Sequence, residues 1–116
     1  MSNLQIRHGF LYLADLNPRL GTEAGKVRPV LVIQNDFVNE AKHASTWILP
    51  CTTKLVGGNM LRAVLPEGIA GNQKACEVMI DQSRSIDNQR FKKKLKQVPT
   101  KIMSEIKDKL KQLGNL

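Results

Sequence analysis

The residues best suited to chemistry lie in a short glycine-bearing loop between two strand-like runs. Within six residues this loop carries one acid and two bases, Glu23, Lys26 and Arg28. The planar guanidinium of an arginine is always charged and can contact two phosphate oxygens at once. Because Pro29 follows Arg28, the backbone at Arg28 is biased toward an extended form, which fixes where the side chain leaves the chain. The loop therefore predicts a site that binds a phosphate and handles a proton.

No metal or nucleotide-phosphate motif accompanies this loop. The two histidines, His8 and His43, lie away from the cysteines in sequence, so no zinc-ligand spacing is present. The glycine loop lacks the GxxxxGK[ST] register of a phosphate loop. Asp15, Asp36 and Asp81 are separated by stretches that match no recognisable ligand pattern. We therefore expect a metal-free reaction without a cofactor.

The charge balance indicates a polyanionic partner. The chain of 116 residues has 18 lysines and arginines against 10 aspartates and glutamates, a formal net charge of +8. Clustered positive charge raises phosphate affinity and association rates. Nucleic acid is the first expectation and an acidic protein the second. RNA suits a metal-free site, because its 2′-hydroxyl is a built-in nucleophile and the protein need only place the phosphate and transfer protons.

The length predicts one domain over residues 1–116. No apolar run approaches the roughly 18 residues of a membrane span, and the first ten residues lack a secretory h-region, so we expect a cytoplasmic protein without membrane contact. Cys51 and Cys76 fit reduced thiols in that compartment, although a single bridge between them is also compatible with the sequence.

Short apolar runs separated by turn residues predict a series of strands. The first run stops at Asn17-Pro18, a pair that favours a turn. The third run contains Pro50, which has no N–H and suggests an edge or a bulge. In the last run, strict alternation places Glu77 on the opposite face from Cys76 and Val78. The predicted strands, at least five, cover residues 10–16, 30–33, 46–53, 60–66 and 75–82.

The last part of the chain changes its period. Apolar residues recur at three- and four-residue steps after Pro99, and Gly114 stands where a helix would end. Residues 87–91 are compatible with a short helix or turn capped by Asp87. The lysine run at 92–96 could follow a phosphate backbone, but a solvated charged face is the favoured interpretation. Together the elements predict a mainly β fold with a C-terminal helix, as a small curved sheet or barrel.

Three separated motifs resemble, in order, those of the MazF/PemK family of bacterial toxin endoribonucleases. The segment PCTTK at 50–54 resembles the second active-site strand of the family, and IDQSRSID at 80–87 resembles the third. One departure is Phe10, where the family usually carries an acidic residue. The matching residues of the first motif are Gly9, Asp15, Pro18, Gly21, Thr22, Glu23, Arg28 and Pro29.

The resemblance implies an SH3-like small barrel, usually a homodimer, that cleaves single-stranded RNA such as mRNA with sequence selectivity. Such a toxin inhibits growth until a cognate acidic antitoxin blocks it. By resemblance Arg28 and Thr52 are catalytic, with Thr53 as the alternative in register. The remaining residues implied to bind the substrate are Glu23, Lys26, Thr53, Asp81, Gln82, Ser83 and Arg84.

A second function class uses the same barrel. The related CcdB group is similar in fold but acts without catalysis, by binding DNA gyrase, and fold alone does not separate the two. The distinguishing feature is Arg28 together with Thr52, since a gyrase binder does not need an arginine paired with a hydroxyl. The sequence therefore favours the nuclease.

Overall fold

The computed structural model describes residues 4–116, in which seven strands and two α-helices form. All strand pairs are antiparallel. Two 3₁₀ turns cover Ile80–Gln82 and Asn88–Arg90, the second with Asp87 as its cap. The prediction of a mainly β fold with a C-terminal helix is confirmed. The strands and helices are β1 (Phe10–Asp15), β2 (Val27–Val32), α1 (Asp36–Glu40), β3 (Ser45–Thr52), β4 (Arg62–Leu65), β5 (Cys76–Met79), β6 (Arg84–Asp87), β7 (Phe91–Gln97) and α2 (Thr100–Gly114).

The sheet follows the strand order β4-β5-β3-β2-β1-β7, with β6 paired to the first half of β3. Strand pairing does not close this path. Its two ends are nevertheless joined, since the Lys96 N–H of β7 donates to the Ala70 carbonyl oxygen, 2.9 Å away, in the loop after β4. The sheet therefore curves far enough to bring its edges together, which is consistent with the expected SH3-like barrel.

Alternation along the central strands builds two apolar layers. One layer contains Leu11, Leu31 and Leu49 and is covered by α2, which buries Met103 and Ile106 against it. The second layer lies on the opposite face of the same strands, where the ring of Tyr12 packs edge-on against Phe91 at 5.2 Å. The burial of both faces holds the strand ends in fixed positions. Neither described helix is long and apolar enough to cross a bilayer.

The expectation for Pro50 was wrong. Pro50 lies inside β3, a central strand, and faces Val30 of β2. On its other side β3 changes partner, because β6 pairs as far as Ile48 and β5 pairs from Cys51 onward. Proline is tolerated here because it occupies the gap between two partner strands, where no ladder donor is required.

The strand predicted over 75–82 is shorter than expected. Strand β5 ends at Met79, and the following residues form the 3₁₀ turn. All four β5 residues are buried, so Glu77 is fully buried although the alternation places it on the opposite face from Cys76 and Val78. Both faces of this strand are covered, so burial does not alternate along it.

Strands β6 and β7 and helix α1 were not among the predicted elements. The lysine run belongs to β7, where Phe91 is buried and the Lys94 ammonium lies 4.5 Å from the centre of the Phe10 ring. Lysines on an edge strand oppose further strand addition. The C-terminal helix matches its prediction: Gly114 is its last residue, and Asn115 adopts the left-handed cap.

Candidate active site

Arg28 lies within β2, since that strand begins at Val27 rather than at residue 30. Its Nε donates to the Gly25 carbonyl oxygen at 2.6 Å, and its Nη1 donates to the Cys51 carbonyl oxygen at 3.2 Å. The side chain is half-buried. Two fixed carbonyls therefore orient the guanidinium, while its other N–H groups remain available to a ligand.

Thr52 ends β3 beside Arg28. The two strands are antiparallel and place Val30 opposite Pro50, so Arg28 and Thr52 come to the same level two residues further along. The Thr52 hydroxyl oxygen accepts the Lys54 N–H at 3.1 Å, which leaves its own hydrogen free to donate. The structure thus brings together the two residues that the sequence pairs by resemblance.

The loop before β2 has a rigid base. The Asn17 side-chain oxygen accepts the Lys26 N–H at 2.8 Å, and Lys26 adopts a left-handed backbone with φ of 67°. Arg90 donates from Nη1 to the carbonyl oxygens of Asp15 and Asn17. Gly25 must be a glycine, because a Cβ there would lie 2.6 Å from the Cβ of Arg19 and 3.2 Å from Asn17 Oδ1. These contacts fix the carbonyl that orients Arg28.

Glu23 and Lys26 both lie on the exposed part of this loop. The contact that orients Arg28 from this loop comes from the Gly25 carbonyl rather than from the Glu23 side chain. The ion pairs found among residues 4–116 include neither Glu23 nor Lys26. Their side chains therefore extend into solvent next to the site, where a substrate could contact them.

The segment 81–84 lies to one side of the site. It spans the end of the 3₁₀ turn and the start of β6, where Arg84 pairs with Ile48 of β3. Pairing with Ile48 places Arg84 further from Thr52 along that strand. The Arg84 Nη1 atom is buried and has no hydrogen-bond partner among the described residues. A buried N–H group without an acceptor destabilises the folded state unless another group accepts its hydrogen bond. Thr53 lies exposed just beyond β3.

Burial lowers the pKa of Arg28 from its ordinary value; the nearby charge of Arg19 acts in the same direction, and Cys51 opposes it. The guanidinium remains a cation at neutral pH, yet it is shifted in the direction that proton donation requires. Both cysteines are buried free thiols. The hydrogen bond with Cys76, together with burial, raises the pKa of Cys51, which favours the uncharged thiol below the site.

Glu77 is the site neighbour that sequence reasoning missed. It pairs with Thr52 across β3 and β5. Its carboxylate binds Arg62 Nη1 at 3.0 Å and accepts backbone N–H groups of the loop after Thr52. The adjacent Gly57-Gly58 pair was the available signal, because consecutive glycines at positive φ can turn their N–H groups toward one anion.

The fold and this site define a class of protein. The model of the family "PemK-like, MazF-like toxin of type II toxin-antitoxin system" matches residues 7–114, and the chain belongs to that family. Over 107 residues the chain is 35% identical to Endoribonuclease MazF of Staphylococcus saprophyticus, a match that covers 87% of this chain and 84% of the relative.

Solved structures of the same family have the same fold. The crystal structure of MazF from Deinococcus radiodurans (form I) superposes with a TM-score of 0.84 at 24% identity, covering 98% of this chain and all of that one. In a MazE-MazF crystal structure (form II) from the same organism, the matched chain has a TM-score of 0.78 at 25% identity, with coverage of 98% and 99%. The resemblance stated from the sequence is therefore confirmed, and the chain is a toxin of the endoribonuclease MazF type.

Proposed function

We propose that this protein cleaves single-stranded RNA, such as mRNA, at selected sequences without a metal ion. The observation that carries the proposal is the contact of Arg28 with the carbonyl of Cys51, which ties the cationic side chain to the residue immediately before Thr52. A cation next to a hydroxyl at the ends of two rigid strands can bind a phosphate and stabilise charge that develops on it. The naming of the S. saprophyticus relative as an endoribonuclease supports the same function.

The reaction uses the nucleophile that RNA supplies. The ribose 2′-oxygen attacks the adjacent phosphorus and loses its proton, while the bond to the 5′-oxygen breaks and that oxygen gains a proton. The products are a 2′,3′-cyclic phosphate and a 5′-hydroxyl. In this scheme Arg28 neutralises the phosphate oxygens and assists proton transfer, and Thr52 donates a hydrogen bond to the phosphate.

The surrounding residues are proposed to bind the RNA chain. Lys26 and Glu23 extend from the loop that precedes Arg28. Lys26 attracts the RNA phosphates electrostatically, and Glu23 contacts the RNA backbone or a base edge. Thr53 is the alternative hydroxyl. We propose that the segment comprising Asp81, Gln82, Ser83 and Arg84 provides sequence selectivity, because these polar residues are exposed or half-buried at the start of β6.

The test incubates purified protein with mixed-sequence RNA in excess chelator and maps the cut sites and their termini. We expect cleavage to persist and to leave a 5′-hydroxyl with a cyclic or 3′-phosphate. A matched substrate with hydrogen in place of the 2′-hydroxyl at the cut nucleotide should bind but remain intact. Strict dependence on magnesium, or equal cutting of the deoxy substrate, would exclude this mechanism.

The proposed partners are a second copy of the chain and a cognate acidic antitoxin. The D. radiodurans structures include MazE-MazF complexes, and the net charge of +8 suits an acidic segment. Val27, next to Arg28, and Leu20, in the loop before β2, are 56% and 75% exposed and offer apolar contacts that add specificity to the charge. We propose that a disordered antitoxin segment folds over this surface, covers Arg28 and excludes RNA.

Competition and assembly are measured separately. Labelled RNA bound to a catalytically inactive Arg28→Ala variant should be displaced when antitoxin is titrated in, so simultaneous undiminished binding would refute direct competition. Sedimentation equilibrium at micromolar concentration should give a homodimer, because paired copies would protect strand edges and build a longer cationic surface for RNA. A monomer would refute the proposed pairing of two copies.

A further inference from the structure

Glu77 is a fully buried carboxylate beside the proposed site. An ionised group in such a place is costly unless charges and hydrogen bonds satisfy it. Here Oε1 binds Arg62 Nη1 at 3.0 Å, and Oε2 accepts the N–H groups of Gly57 at 2.9 Å and of Val56 and Gly58 at 3.1 Å each. Burial opposes ionisation, but these donors outweigh it and lower the pKa of Glu77. The carboxylate is therefore a charged anchor at neutral pH.

The donors belong to the loop that begins where Thr52 ends β3. Gly57 and Gly58 have φ of 98° and 74°, a backbone conformation that L side chains rarely adopt. This conformation lets consecutive N–H groups converge on one carboxylate oxygen. The loop is thus folded back onto β5 by a specific acceptor rather than by apolar packing, and Val56 itself remains 60% exposed.

A second set of contacts leads from Glu77 back to Thr52. Arg62, bound to Glu77, also reaches the Lys54 carbonyl oxygen from Nη1 at 3.4 Å. The N–H of the same Lys54 donates to Thr52 Oγ1 at 3.1 Å. Thr52 stands opposite Glu77 in the pairing of β3 with β5. The contacts therefore form a ring, which we call the Glu77 network: Glu77, Arg62, Lys54 and Thr52.

We propose that Glu77 is a positioning residue, which holds the Thr52 hydroxyl in place by fixing the loop of residues 53–58 through this network. The inference rests on the proposed function of Thr52. A glutamine could not replace the carboxylate, because only one of its two polar atoms accepts hydrogen bonds, whereas both oxygens of Glu77 are occupied. Its amide nitrogen would face either Arg62 or the backbone donors.

The first experiment compares Glu77→Gln with Thr46→Val. Like Glu77, Thr46 is a buried polar residue. It lies in β3 at the end away from Thr52, where its hydroxyl donates to Asn88 Oδ1 at 2.6 Å. For an RNA with one mapped cut site, we expect Glu77→Gln to lower kcat at least about tenfold with KM within about twofold, since displacement of a reacting group by 1 Å can cost 100-fold. Thr46→Val should retain kcat. Both variants are assayed under conditions in which circular dichroism shows that they are folded.

Amide hydrogen exchange supplies a readout that does not depend on cleavage. In Glu77→Gln, exchange at Val56, Gly57 and Gly58 should rise relative to the wild-type protein, whereas strand amides of β1 should not change. Unchanged exchange would show that Glu77 does not hold the loop and would overturn the proposal. Faster exchange with wild-type kcat would overturn it as well, since the loop would then not position Thr52.

A pair of glycine variants covers the case in which Glu77→Gln does not fold. Gly57 and Gly68 are both exposed with φ of 98° and 78°, and a Cβ at either would meet nothing within 4 Å. Of these two glycines, Gly57 donates to Glu77, whereas Gly68 donates to the Asn72 carbonyl oxygen. Gly57→Ala should lower kcat several-fold more than Gly68→Ala, and equal effects would overturn the proposal. If the wild-type protein leaves RNA intact, the proposed function is refuted. The exchange data distinguish this outcome, because they report whether Glu77 holds the loop even when no RNA is cleaved.

Discussion

Arg28 Nη1 donates to the carbonyl oxygen of Cys51, the residue immediately before Thr52. One hydrogen bond of 3.2 Å therefore couples the orientation of the cation on β2 to the strand end that carries the hydroxyl. Because the same guanidinium is also held by Gly25, its position does not depend on a bound substrate. A preorganised cation stabilises developing charge without reorganising during the reaction.

Replacement of Arg28 by alanine should reduce kcat far more than it reduces stability. Loss of one preorganised donor typically costs about 3 kcal/mol, or roughly a 100-fold fall in rate. Thr52→Ala should impair kcat in the same direction. Steady-state cleavage of RNA at saturating concentration measures the effect, and thermal unfolding of the same samples reports the fold. Arg28→Ala with wild-type turnover would show that the active site is assigned wrongly.

An arginine elsewhere on the same loop provides the control. Arg19 is exposed and close enough to Arg28 to influence its pKa, so Arg19→Ala removes a neighbouring charge without removing the two carbonyl contacts. Its effect on kcat should stay within about threefold, as expected for a screened surface charge. Arg28→Lys should behave like Arg28→Ala, because an ammonium cannot reproduce the fork of a guanidinium.

Asn17→Ala should slow cleavage although the hydrogen bonds of the Arg28 side chain go to Gly25 and Cys51 and not to Asn17. Its side-chain oxygen holds the Lys26 N–H at 2.8 Å, next to the carbonyl of Gly25 that orients the guanidinium. We expect kcat to fall about tenfold, within the 100-fold range that small misplacements can produce. The comparison variant is Thr22→Ala, an exposed residue of the same loop. Equal rates for the two variants would contradict the role given to Asn17.

The sequence predicts the site better than it predicts the support of the site. Arg28 is recognisable because an arginine before proline follows a glycine loop, and its partner Thr52 is recognisable by resemblance. Glu77 is not recognisable from the sequence, since its role comes from burial and from backbone donors contributed by residues about 20 positions away. Pro50 was misjudged for a related reason: its tolerance depends on which strands flank β3, a property of the topology rather than of local pattern.

The lysines of β7 should differ in their contribution to RNA binding. Ala14 pairs with Arg28 on one side and with Phe91 on the other, so the start of β7 lies at the same end of the sheet as the site. Lys92 follows Phe91, whereas Lys96 lies near the opposite end. Lys92→Ala should reduce by about 0.7 the slope of log affinity against log salt concentration, as expected for one lost contact to single-stranded RNA. Lys96→Ala is the control, and equal slope changes would indicate general attraction only.

The stability of the fold should depend on Glu77 in a pH-dependent way. Burial raises the pKa of this carboxyl, but the hydrogen bonds from the N–H groups of Val56, Gly57 and Gly58 and from the Arg62 side chain lower it by more, so the folded-state pKa lies below the unfolded value. A depressed pKa stabilises the folded state above the unfolded pKa of about 4.3, and that contribution is lost as the pH falls through the folded pKa. Glu77→Gln should therefore unfold at lower urea concentration than the wild-type protein at pH 7, and the difference should narrow steadily below about pH 4. Urea titrations at a series of pH values measure it. A difference that stays constant down to the lowest pH at which both proteins fold would show that the charge of Glu77 does not stabilise the protein.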